Sequence, residues 1–184
     1  MLAKRKRKLT VDNVLSMSES GIFAPDERIE LIDGDLFFTM TPPSSQHAGH
    51  VDWLSKQLER ACGDSAVVRT QNPLVLDENH LVEPDLALVR PRDSFYIDVH
   101  PTARDAFLAV EVSLSSLAFD KEKKLPVYAE VGVPELWIVD VEHELAEVYW
   151  KPVGDRYRYS LVVQRGEKVA PRAFPEKEIT VFPS

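Results

Sequence analysis

The stretch that most constrains this chain is Ala106-Phe107-Leu108-Ala109-Val110-Glu111-Val112-Ser113, a nearly unbroken apolar run of strand length. Hydrophobic side chains on both pleat faces describe a central strand covered on two sides, and such a strand needs a sheet with layers packed above and below it. Glu111 is the exception within the run. A lone carboxylate loses its hydration there unless a cation or several donors meet it, so the strand either opens at a cleft or carries a charge with a task. A second exception lies upstream, where Glu83-Pro84-Asp85 leads into the apolar Leu86-Ala87-Leu88-Val89.

The segments around these two runs read as alternating strands and helices. Thr10 is placed to cap a short helix through Val11, Val14 and Leu15. Arg28–Ile32 and Asp35–Thr39 flank Asp33-Gly34, the dipeptide suited to the positive φ angles of a tight turn, and predict a hairpin with Glu30 on the face opposite Ile29 and Leu31. Thr41-Pro42-Pro43-Ser44-Ser45 stops the hairpin and supplies the cap of a helix running to about Cys62. Val51, Leu54, Leu58 and Ala61 form its buried stripe, with His47 one turn before Val51 on the same side. Segments 66–70 and 73–76 and the Asp85 strand read as consecutive antiparallel strands. A long polar connection from Arg90 to Arg104 then returns the chain to the Glu111 strand.

Residues 120–129 read as a helix ending near Gly132, with Pro126 awkward in it and with Lys121, Lys124 and Tyr128 on one side. Glu135–Asp140 follows as a strand, 145–151 and 157–163 alternate as a hairpin, and 179–181 is a possible edge strand. This order predicts an α/β chain of the α+β type: a mixed sheet flanked by helices, with an N-terminal and a C-terminal hairpin. Trp150, Tyr157 and Tyr159 are candidate contacts on the C-terminal hairpin, although core packing is the more usual fate of such residues.

Composition narrows the setting. A chain of 184 residues with 44% hydrophobic content suits one domain, read here as residues 10–184 behind a basic tail at 1–9. The apolar runs fall short of membrane-spanning length and no apolar leader opens the chain, so a cytoplasmic location is expected. Cys62 is the only cysteine, which excludes an internal disulfide and a cysteine metal cluster. A net charge of −8 argues against coating nucleic acid by overall electrostatics, while Lys4-Arg5-Lys6-Arg7-Lys8 reads either as an arm along a phosphate backbone or as a solvated tail. His47 and His50 are three apart with no glutamate after His47, so they lack the spacing of a zinc-protease helix.

Asp85 and Glu111 are placed at the ends of neighbouring strands, with a lysine-rich helix just downstream. Two converging carboxylates suit Mg²⁺ or Mn²⁺, and a nearby lysine could orient an attacking water or stabilise a pentacovalent phosphate. The same residues also read as a structural salt-bridge set.

Six segments in order carry a resemblance: Arg28–Gly34, Ser44–His47, Glu83–Leu86, Val110–Ser113, Asp120–Lys124 and Tyr128–Asp140. Together they resemble the Uma family of restriction endonuclease-like proteins, within the PD-(D/E)XK nuclease superfamily. The resemblance implies a sheet core with a divalent-metal site (Mg²⁺ or Mn²⁺), action on nucleic acid with DNA favoured over RNA, and a homodimer. Asp85 is similar to the acid of the "PD" element and Glu111 to the acid of "(D/E)XK", with Val112 beside them in the metal set. Glu30 resembles the additional acid before the core strands, and His47 the histidine opening the next helix. Ser113 departs from the superfamily motif, which has lysine there. The family position for that amine corresponds to Lys124, with Lys121 in reserve. The implied activity is Mg²⁺-dependent hydrolysis of phosphodiesters. A silent nuclease-fold binding or assembly module and a metal-dependent small phosphoesterase stay open beside it.

Overall fold

The structure is a computed structural model that describes residues 7–24, 27–39 and 44–183. Lys4-Arg5-Lys6 of the basic run and Thr41-Pro42-Pro43 before the second helix lie outside the described residues. Helix α1 (Val11–Glu19) starts at Thr10, whose side chain and that of Asn13 satisfy each other's backbone amides. Strands β1 (Arg28–Ile32) and β2 (Asp35–Thr39) form the expected hairpin. Its turn residues Asp33 and Gly34 sit at φ 52° and 70°, a backbone that the Asp-Gly pair adopts at little cost. Helix α2 (Ser45–Cys62) is capped by the Ser44 hydroxyl, which accepts from the His47 amide.

Strands β3 (Val67–Thr70), β4 (Leu74–Asp77), β5 (His80–Val82), β6 (Leu86–Val89) and β7 (Ala106–Ser113) follow. A helical segment comes next, made of α3 (Leu117–Phe119), a π turn (Asp120–Lys124) and α4 (Leu125–Glu130). Strands β8 (Glu135–Asp140), β9 (Leu145–Val153), β10 (Arg156–Gln164), β11 (Lys168–Val169) and β12 (Ile179–Thr180) complete the chain. No helix among the described residues is long and apolar enough to cross a membrane.

The strands divide between a six-stranded sheet, β10-β9-β8-β7-β6-β3, a four-stranded sheet, β2-β1-β5-β4, and the β11-β12 pair. This corrects the sequence reading of 66–85 as consecutive antiparallel neighbours. β3 pairs with β6 in the large sheet, whereas β4 leaves at Gln71 to pair with β5, a strand absent from that reading. β12 likewise pairs with β11, off the main sheet. Strand β7 pairs antiparallel with β6 and parallel with β8, and the parallel step needs the α3–α4 crossover.

Both faces of β7 are covered, as its apolar run demands. On one face Leu86, Leu108 and Val110 pack under Val51, Leu54 and Leu58 of α2. On the other, Ala109, Leu136 and Ile138 pack under Val127 and Tyr128 of α4. Each of these fully buried leucines contributes about 1.5–3 kcal/mol by leaving water. Glu111 shares its pleat face with Ala109 and therefore points under the crossover helix.

Candidate active site

Leu86 lies opposite Val110 across the β6–β7 pair, so Asp85 falls opposite Glu111. Both line one cleft of about 610 Å³, together with Arg28, Glu30 and Phe37 of the hairpin, His47 of α2, and Phe119, Asp120 and Lys124 of the crossover. Both are deeply recessed, Asp85 at 6% and Glu111 at 3% exposure.

Asp85 is held from several directions. Val112 donates its amide to Oδ2 at 2.9 Å, Gln71 donates Nε2 to Oδ1 at 3.1 Å, and His47 Nε2 lies 3.3 Å from Oδ2. Gln71, at φ 51°, is the residue where the chain crosses between the two sheets, so this strained corner also aims a donor into the site. Burial pushes the Asp85 carboxyl up, but the bond and charge of His47, the Val112 amide and Gln71 outweigh it and hold the group below its ordinary range. The His47 imidazole is pushed up in return, chiefly by its hydrogen bond with Asp85. Its Nδ1 is buried with no partner among the described residues.

Glu111 accepts from the Tyr128 hydroxyl at 2.7 Å on Oε1 and from Lys124 Nζ at 3.1 Å on Oε2. Lys124 is the hub. Its ammonium lies 2.8 Å from Glu30 Oε1, 3.1 Å from Glu111 and 3.9 Å from Asp120 Oδ1. Glu30 Oε1 also accepts the Glu83 amide, and Arg28 closes on Glu83 at 3.0 Å. Asp120 is fixed by the hydroxyls of Ser113 at 2.7 Å and Ser116 at 2.6 Å. Burial drives the carboxyls of Glu111, Asp120 and Glu83 upward, most of all Glu111, where Lys124 opposes it. For Lys124, burial favours the neutral amine, but Glu111, Glu30 and Asp120 overcome it and keep the ammonium charged.

The π turn explains how Lys124 arrives. Pro126 has no amide hydrogen and its ring would crowd the carbonyl a turn earlier, and the helix absorbs this by widening just before it, with Leu125 N–H bonding Asp120 C=O. The wide turn also corrects the expectation that Lys121 shares the Lys124 side. With fewer degrees per residue, Lys121 swings away to pair with Glu147 of β9 and does not line the cleft. Among the other expected residues, Glu30, His47, Asp85, Glu111 and Lys124 line one cleft. Ser113 touches it through Asp120, and Val112, which has no side-chain donor, serves Asp85 through its backbone. Trp150 and Tyr157 pack against the core, and only Tyr159 of the three hairpin aromatics is exposed. Sequence reasoning did not assign Asp120 or Tyr128 to the site. The position of Tyr128 one turn after Lys124 was the available signal.

The donor set tests whether a metal fits. No group of three His, Cys, Asp or Glu among the described residues is arranged to hold an ion. The cleft nevertheless gathers Glu30, Glu83, Asp85, Glu111 and Asp120 against Arg28, Lys124 and His47, an oxygen-rich surplus of negative charge. That chemistry fits a hard divalent cation, which would share the oxygens now held by Lys124, Tyr128 and His47.

A mixed sheet with paired acids and a helix-borne lysine at one mouth is a restriction-endonuclease-like α+β fold. Over residues 12–181 the sequence matches the Uma2 family, described as "Putative restriction endonuclease", and the chain belongs to that family. Its fold is similar to the crystal structure of "a putative nuclease belonging to DUF820" from Anabaena variabilis, at 15% identity and a TM-score of 0.74, covering 94% of this chain and 95% of the other. No curated protein matches the sequence.

Proposed function

We propose that this chain is a divalent-metal-dependent endonuclease that hydrolyses nucleic-acid phosphodiesters in the cleft between its two sheets. The observation that carries the reading is the placement of Lys124 Nζ, 2.8 Å from Glu30 and 3.1 Å from Glu111, beside Asp85 at the same mouth of adjacent strands. Asp85 and Glu111, with the backbone at Val112, would hold Mg²⁺ or Mn²⁺. When bound, such an ion polarises a phosphoryl oxygen and acidifies water. Lys124 acts as a charged donor, since its carboxylate neighbours keep it protonated, and it stabilises charge developing on the phosphate instead of abstracting a proton. Glu30 holds that ammonium together with Glu111. His47 positions Asp85 through Nε2.

The test is hydrolysis of nucleic acid by the purified chain in Mg²⁺ or Mn²⁺. The expected result is metal-dependent cleavage that Asp85→Ala and Glu111→Ala abolish; activity surviving both substitutions rejects the assignment. One observation favours a silent binding module as the second reading. Both oxygens of Glu111 are already engaged, by Tyr128 and Lys124. Thermal melting that does not move at millimolar Mg²⁺ or Mn²⁺ would select it, because a competent site gains stability by mass action.

A further inference from the structure

We propose that the apolar wall of the cleft, formed by Phe37, Leu114 and Phe119, stacks an unpaired nucleobase, so that the substrate is a single-stranded or frayed DNA strand and not an intact duplex. This deepens the nuclease reading and rests on it for the identity of the ligand.

Charge supplies the first argument. Proteins that grip a duplex draw most of their affinity from Lys and Arg set against phosphates. Here the cations facing the cleft are largely committed, Lys124 to Glu30 and Glu111 and Arg28 to Glu83, and the chain carries a net −8. Phosphate contacts alone therefore offer little. Stacking on an aromatic ring is indifferent to that charge and to base identity.

Size and placement supply the second. A cleft of about 610 Å³ is on the scale of a small-molecule pocket, and its acids are only 3% and 6% exposed, so an entering group must be slender. A duplex presents phosphates outward and keeps its bases stacked inside, which leaves an apolar wall with nothing to bind. Phe37 and Phe119 are half-buried and meet edge to face at 5.1 Å; each packs on one side against the core around Tyr128 and still lines the cleft on the other. Phe37 is the cross-strand partner of Glu30, on the same pleat face, and Glu30 shares Lys124 with Glu111. Directly opposed residues have Cβ atoms about 5 Å apart, so a base on this wall sits one nucleotide's reach from the acids.

The probe is a single-stranded DNA oligonucleotide carrying one 2-aminopurine, whose fluorescence is quenched on stacking, compared with the same strand annealed to its complement. Binding is measured in Ca²⁺, which offsets the acids, with a gel to verify an intact probe. The single strand is expected to bind with quenching and the duplex at least tenfold more weakly. Phe119→Leu, which keeps apolar bulk and loses the ring face, should weaken single-strand binding about tenfold at a temperature where circular dichroism shows the variant still folded. Phe95→Ala, exposed outside the cleft, should leave binding unchanged. Equal duplex affinity, absence of quenching, or indifference to Phe119→Leu overturns the proposal. A Mn²⁺ cleavage arm keeps the two readings apart. A bound, quenched strand that is never cut in an Asp85-dependent way removes the nuclease reading alone, whereas Asp85-dependent cutting of duplex that ignores Phe119→Leu removes the stacking wall alone.

Discussion

Replacing Lys124 by methionine is the sharpest test of the site's electrostatics. Lys124 is 6% exposed, and its ammonium stands 2.8, 3.1 and 3.9 Å from Glu30, Glu111 and Asp120. Methionine fills much the same volume and removes only the charge, so two buried carboxylates, Glu111 and Asp120, and the half-buried Glu30 lose their common partner. Breaking a buried pair from one side costs roughly 3–5 kcal/mol, because the charge left behind is uncompensated. At about 2–4 °C per kcal/mol for a chain of this size, the melting temperature should fall by ~6–20 °C. The sign of the pH response follows from Glu111 and Asp120. Burial already lifts their carboxyls, and without the lysine the folded state binds their protons still more tightly than the unfolded chain does. Stability of the variant should therefore rise as pH falls from neutral toward the unfolded carboxylate range, and be lowest where both groups must ionise. Mn²⁺ should restore part of the loss, since a divalent cation answers the same negative charge. Denaturant titrations of both proteins at two pH values, with and without Mn²⁺, measure all of this. A loss below about 1 kcal/mol, or a variant no more responsive to acid than the parent, would refute the hub assigned to Lys124.

Tyr128→Phe leaves Glu111 Oε1 without its 2.7 Å donor and should cost about 1–3 kcal/mol in denaturant unfolding. If the acids hold a metal, the same variant should need roughly 10–100-fold more Mn²⁺ for the same thermal shift. His47 has a raised pKa in the fold, so its contribution is full below its ordinary 6.5 and is lost as pH rises through the raised value. The parent should thus lose stability between slightly acidic and slightly basic pH, and His47→Gln should not show that loss. Gly34→Ala would place a Cβ 2.7 Å from Lys8 Cβ and 2.9 Å from the Leu9 carbonyl at φ 70°, and should cost about 1–3 kcal/mol with no change in metal response.

Much of the site was legible because its residues break local patterns. Glu111 interrupts an apolar strand, Asp85 precedes another, and Glu30 sits on a hairpin whose turn is written in Asp33-Gly34. What the sequence withheld depends on long-range pairing. Nothing local says that β3 and β4 part company at Gln71, since both runs have strand composition and sheet membership is decided by distant partners. His80–Val82 is short and follows turn residues, so its pairing with β1 and β4 could not outweigh its loop-like surroundings. Lys121 lies off the cleft for a nearer reason. Helical spacing assumes 3.6 residues per turn, and the π turn ahead of Pro126 departs from it where two lysines had to be ranked.

The reach of Lys124 into the cleft follows from the same geometry. At position 113 a lysine would rise from the strand that carries Glu111. Here Ser113 instead gives its hydroxyl to Asp120, and Asp120 steadies the turn from which Lys124 reaches back. The amine is thereby tied to three elements at once: hairpin through Glu30, central strand through Glu111, crossover helix through its own backbone. No one of these elements can shift without loosening the ammonium. The surplus of acid gathered in the cleft is thus restrained by a residue whose position requires both sheets to be docked. Assembly of the fold and readiness of the site become one event, and a substitution that separates the hairpin from the large sheet should disable the site before it unfolds the sheet.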